Sequence, residues 1–221
     1  MGATPFLGLA LLCLSIVLLI AYVSLTRVYS LIHIQNHAMF PHVLFGDVLL
    51  VDRRVSGDKA LHSGLLVAYD SKAHGVRVAR IIASHLNAQT IEINGVEISL
   101  DGKPLHLKPI DIDVPHLKDE DRQRLRSSQF FIEYLPQSSI ADGWLISRPL
   151  NSIRPPMKFS GRLGKNALLV IPDVRYPSET QELMKSVEII DRTRVLGVPI
   201  MIVSSTHPHT YAYSRRGLTL H

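Results

Sequence analysis

The chain has 221 residues, 46% of them hydrophobic and 19% charged, a balance that excludes disorder as the main state and fits one or two compact domains. A single cysteine, Cys13, excludes an intramolecular disulfide framework and a cysteine-rich zinc site. Formal net charge is +5, but Lys and Arg alternate with Asp and Glu along most of the chain, which suits a membrane-proximal domain better than a nucleic-acid binder.

After a short tail (1–5), residues 6–26 hold no charged side chain, and Phe6 to Leu25 is an almost unbroken apolar run. A helix of about 20 residues reaches about 30 Å, the thickness of the hydrocarbon layer of a bilayer. The spacing therefore predicts a single membrane-spanning helix. A cleaved signal peptide would want a basic start and a shorter apolar stretch, and here the start is MGATP. Arg27, just after the run, is a weak argument for a cytoplasmic C-terminal domain.

Beyond the helix the period becomes that of strands. Asp47–Asp52, Gly64–Tyr69 and Val76–Ala83 read as apolar strands. Residues 90–100 alternate apolar and polar side chains around Asn94-Gly95, the dipeptide best suited to a tight hairpin turn, and Asp101-Gly102 repeats the signal. The charged stretch 119–126 reads as a solvated surface, and Phe130–Tyr134 resumes as a strand. The fold class expected is mainly antiparallel β, with a β domain over 30–155.

Residues 148–166, with three prolines, read as a connection. After it, Ala167–Ile171 reads as a buried strand, Ser178–Leu196 as a helix with a Ser178/Gln181 capping box and a Gly197 stop, and Val198–Val203 as a second apolar strand. That order predicts a parallel βαβ unit over 165–206, followed by a tail (207–221). The residues after its first strand, Pro172-Asp173-Val174-Arg175, form no glycine-rich phosphate loop, so nucleotide binding is unsupported.

Several of these segments resemble, in order, the motifs of type I signal peptidases and their conjugation-system relatives. Met39, Phe40 and Pro41, followed by Gly46-Asp47 and DVLLV, are similar to that family's Ser-Met-x-Pro region and the strand after it. GLLVAYD at 64–70 and VARIIA at 78–83 resemble its second region. DGKPL at 101–105 resembles its Asn-Gly-x-Pro turn, and Trp144 with PLNSIR at 149–154 its terminal Trp-Gly region. The resemblance covers residues 6–154 and implies a membrane-anchored β domain on the non-cytoplasmic face.

The departures fall where the chemistry should be. The family uses a serine nucleophile and a lysine general base kept neutral by an apolar site. Their positions correspond to Ala38 and Ala79, and a methyl group neither attacks a carbonyl nor takes a proton. Arg80 is no substitute base, because guanidinium stays protonated. The family's side-chain oxyanion donor corresponds to Asn36, and the groove to Met39, Phe40 and Pro41. Its Gly-Asp-Asn-Arg element has no clean counterpart between Ile132 and Trp144, where Asp142 is the candidate remnant.

His33 and His37 would share a face if the membrane helix continued, with His42 as a third ligand, but juxtamembrane histidines without a nearby carboxylate are better explained by solvent and headgroup contacts than by zinc. No cofactor is implied. The expected role is binding of extended or signal-peptide-like segments, or assembly of a membrane complex, beside the lipid bilayer. Two alternatives stand. One is a signal peptidase with a relocated nucleophile such as Ser138 or Ser139, or with the dyad engineered away; the other uses the C-terminal unit to dock subunits of a larger membrane complex.

Overall fold

The computed structural model describes residues 4–54, 61–94, 97–111, 128–136, 138, 143–149, 158–174 and 187–205, with 123 and 126. It is mainly antiparallel β with one N-terminal helix, α1 (Thr4–Val28). The apolar stretch of α1 from Ala10 to Val28 has a mean hydropathy of 2.3 and none of it is buried against the rest of the protein. An all-round apolar helix with no protein partner is long and apolar enough to cross a membrane.

No linker separates the helix from the sheet. Strand β1 (Tyr29–His33) begins at the next residue and pairs antiparallel with β2 (Val48–Asp52), Tyr29 opposite Asp52 and His33 opposite Val48. Then come β3 (Leu66–Ser71) and β4 (Gly75–Ser84), a hairpin in which Val67 lies opposite Ala79 and Leu66 opposite Arg80. β5 (Thr90–Asn94) and β6 (Glu97–Leu100) form the expected hairpin, and β7 (Lys103–Pro104) turns back on β6. Asp101 and Gly102 both have positive φ, 51° and 75°, as a tight hairpin turn of this hand requires. The Asp101 carboxylate fixes that turn by accepting from the Gln89 and Thr90 peptide N–H groups. β8 (His106–Ile110), β9 (Ser128–Tyr134) and β10 (Trp144–Pro149) make a three-stranded sheet in the order β10-β9-β8.

The C-terminal third differs from the sequence expectation. Residues 148–166 are not only a connection, because β11 (Lys158–Arg162) pairs with β5. The expected helix over 178–196 lies outside the described residues up to 186, and from 187 onward the chain forms β13 (Glu188–Asp191), one 3-10 turn (Arg192–Arg194) and β14 (Val195–Ser204). The Asp191 side chain caps that turn through the Thr193 N–H, 2.8 Å away. β12 (Ala167–Ile171) pairs antiparallel with both β4 and β13, and β14 pairs antiparallel with β2 and β3. All of these strands belong to one seven-stranded sheet, β1-β2-β14-β3-β4-β12-β13. The segment is therefore not a parallel βαβ unit appended to the domain; it supplies strands to the main sheet.

Side chains alternate across this sheet. One face carries Leu49, Val51, Leu66, Ala68, Val78 and Ile202, covered by Ile34, Met39 and Val43 from the segment after β1. The other buries Val67, Tyr69, Ala79, Ile81, Leu168, Val170, Ile190 and Val198. The sheet curls, since the Glu188 carboxylate on β13 accepts from the Tyr69 and Ser71 hydroxyls on β3. A third cluster, with Ile82, Ile91, Ile93, Trp144, Ile146 and Leu169, ties the three sheets together.

β14 passes so close to β2 at Gly197 that a Cβ there would sit 2.3 Å from the Asp52 carbonyl oxygen, and its φ of 156° disfavours any side chain. Gly197→Ala is expected to cost about 3 kcal/mol or more, combining strain with overpacking against backbone that cannot give way. Denaturant unfolding of the detergent-solubilised protein measures it; an unchanged midpoint would show that β2 and β14 separate freely.

Candidate functional site

The segment between β1 and β2 folds back on itself through its own backbone. Ile34 donates to the Asp47 carbonyl and Gly46 to that of Ile34, which closes the base of the loop, while Phe40 donates to His37 and Val43 to Met39. The buried Asp47 carboxylate holds the Leu44 N–H at 2.8 Å. The Phe40–Pro41 peptide is cis. Met39 covers the sheet, Phe40 and Leu44 pack on Phe130 of β9, and His37 stacks on Phe45. Because α1 ends at Val28, His33 lies on β1 and His37 in the loop, so the two share no helix face.

Between these apolar contacts lies a buried ion pair. Arg80 (1% exposed) and Asp173 (0%) form a two-pronged ion pair, the Arg80 Nε and Nη2 each 2.7 Å from one carboxylate oxygen. Planar guanidinium and carboxylate match in this geometry, which also fixes their relative orientation. Arg80 Nη1 donates to the Gly64 carbonyl at 2.6 Å. The half-buried His42 places Nδ1 3.0 Å from Asp173 Oδ2, closer than the 3.5 Å to Arg80 Nη2, an arrangement that fits an Nδ1–H donating to the carboxylate. Burial alone would push the Asp173 carboxyl up; the Arg80 guanidinium and the His42 imidazole outweigh it and hold the carboxyl at about 2.

The backbone around Asp173 completes the junction. Its carbonyl accepts from Ser147 of β10, and the next N–H, that of Val174, donates to the Ala38 carbonyl at 3.0 Å. The Ser147 hydroxyl reaches the Phe40 carbonyl at 3.2 Å. Through its carboxylate on β4 and the backbone at 173–174, this residue joins β4, β10 and the loop that carries Ala38.

Ala38 and Ala79 are both buried, at 4% and 2% exposure. Ala79 packs among Val67, Tyr69, Ile81 and Leu168, on the opposite sheet face from Val78 and Met39. Ala38 is held by its backbone: its carbonyl bonds Val174, and its N–H donates to the Asn36 side-chain oxygen at 3.0 Å. The Asn36 side chain therefore occupies the peptide N–H of residue 38. Pro41 is half-buried beside Phe40. Ser138 lies in the turn after β9, its N–H donating to the Leu135 carbonyl, whereas Ser139 and Asp142 lie outside the described residues.

β12 pairs with β4 only from Arg80 to Ser84. Among the described residues, none pairs with 75–79 on that side. At the level of sequence, Asp173 serves only to dismiss a phosphate loop. The signal available is an acidic residue placed directly after a wholly apolar strand, where burial demands a cationic partner.

No family model matches the chain, and no curated protein matches it.

Proposed function

We propose that this is a membrane-anchored, signal-peptidase-like protein that binds an extended polypeptide segment at its open strand edge and does not hydrolyse it. α1 spans the bilayer in this reading, and the β domain stands on the non-cytoplasmic face. The observation that carries the proposal is the edge of β4 at 75–79, which among the described residues has no strand partner on the β12 side and runs into Ala79 and the Asp173 junction holding the Ala38 loop. An open edge offers main-chain donors and acceptors in register, which suffice to bind a strand without regard to most of its side chains.

The positions that correspond to the dyad are poor in reactive groups. Ala38 has no hydroxyl, Ala79 no amine, Arg80 is locked on Asp173, and the peptide N–H of residue 38 is bonded to Asn36.

Fluorescence anisotropy with a labelled peptide ending in small residues, added to the solubilised full-length protein, tests the reading. Saturable binding without cleavage is expected, and N-methylation of the peptide backbone should weaken it at least about 10-fold, since each missing N–H leaves a strand acceptor unpaired. Binding indifferent to N-methylation would count against strand addition, and multiple-turnover cleavage would overturn the non-hydrolytic reading.

A further inference from the structure

The end of α1 meets the β domain at a cluster of cations. Arg27 lies exposed in the last turn of the helix. Arg53, also exposed, is far along the chain but is brought to the same place, because its peptide N–H donates to the Val28 carbonyl at 2.8 Å. The pairing of β1 with β2 enforces this, since Tyr29 opposite Asp52 leaves Arg53 beside the helix end. Arg54 comes next, its guanidinium 5.3 Å from the Tyr29 ring centre and 3.1 Å from the Tyr29 hydroxyl. Its charge is matched by Asp52, with contacts of 2.7 and 3.0 Å.

The two remaining arginines sit at the boundary between an apolar helix and a polar domain, next to a tyrosine, the side chain favoured where hydrocarbon meets headgroups. From this juxtaposition we propose that Arg27 and Arg53 form a binding site for anionic phospholipid headgroups at the foot of the membrane helix. The inference rests on the spanning reading of α1. Its partner is set by charge and by depth: a cation pair held within one hydrogen bond of the helix end lies at the level of the phosphates and attracts them through a short screening distance. Arg54, Asp52 and Tyr29 act as the bracket that keeps the corner rigid. Because α1 passes into β1 without a linker, a lipid held here also fixes the tilt of the whole domain over the bilayer.

The full-length protein is reconstituted into phosphatidylcholine nanodiscs carrying spin-labelled phosphatidylglycerol or spin-labelled phosphatidylcholine. Preferential immobilisation of the phosphatidylglycerol label is expected, by about 5-fold for each arginine, the factor that matches about 1 kcal/mol per basic residue near a charged surface. The preference should collapse in an R27Q/R53Q variant and in high salt, and persist in R27K/R53K. Equal immobilisation of both labels by the unaltered protein, or a preference untouched in R27Q/R53Q, would overturn the site. Resistance to alkaline extraction from neutral bilayers is read separately: an extractable chain would overturn the spanning reading and this site with it.

Discussion

Asp173→Ala is expected to destabilise the β domain by about 3–5 kcal/mol, because it leaves the Arg80 guanidinium buried without its counter-charge. The loss should be larger than for Asp173→Asn, whose amide keeps the shape and one acceptor. A double replacement, Arg80→Met with Asp173→Leu, is expected to be less damaging than either single change, since removing both charges abolishes the desolvation cost along with the attraction. Urea unfolding of the unaltered protein, Arg80→Met, Asp173→Leu and the double variant makes the comparison; additive losses would show that the two side chains act separately. The same pair sets an acid limit. With the folded-state carboxyl at about 2 and the unfolded one near its ordinary 3.8, the carboxylate contributes stability that is complete above about pH 5 and is lost as the pH falls toward 2. That segment of the stability curve should flatten in Asp173→Asn, and an unchanged acid slope would place the acid sensitivity elsewhere.

Turnover of a signal-peptide substrate is expected to lie about 10⁶-fold below that of a signal peptidase with an intact serine–lysine dyad, because nucleophile and base act as a unit. Ala38→Ser alone should gain nothing, having no base to take its proton. Ala79→Lys alone should keep its amine neutral among Val67, Tyr69, Ile81 and Leu168, but at a cost of about 1–3 kcal/mol for crowding a filled cluster. The double variant examines the residue assignments. Cleavage gained only when both are present supports Ala38 and Ala79 as the dyad positions; a double variant that folds and binds peptide yet cleaves nothing counts against them. Rapid cleavage by the unaltered chain would mean a nucleophile outside this pair.

The strands from β2 to β6, β9 and β12 are legible in the sequence because their alternation and turn dipeptides are local properties: Asn94-Gly95 and Asp101-Gly102 specify hairpins wherever they occur. The C-terminal third misleads for a related reason. SVEIIDRTRVL satisfies a helical period as well as it satisfies a short strand, a single capped turn and the start of another strand, and only the long-range pairing of β14 with β2 and β3 decides between them. Among the site residues, Ala38 and Asn36 are visible through an ordered set of motifs. The Arg80–Asp173 pair is not, since nothing in the spacing of two residues so far apart announces a contact. The resemblance presents Asn36 as a donor; its side-chain oxygen accepts from the Ala38 N–H, a local turn that fixes the orientation of the amide.

The position of β14 bears on how the chain is made. The strand that separates β2 from β3 follows them by more than a hundred residues, so the two early strands lack their shared neighbour until residue 204 has left the ribosome. During that interval β2 and β3 present open edges, in a topology whose contacts span most of the sheet's sequence and which therefore forms slowly. Shortening the protein to exclude 195–204 would not trim an end; it would remove a central stave and leave the first half of the sheet split in two.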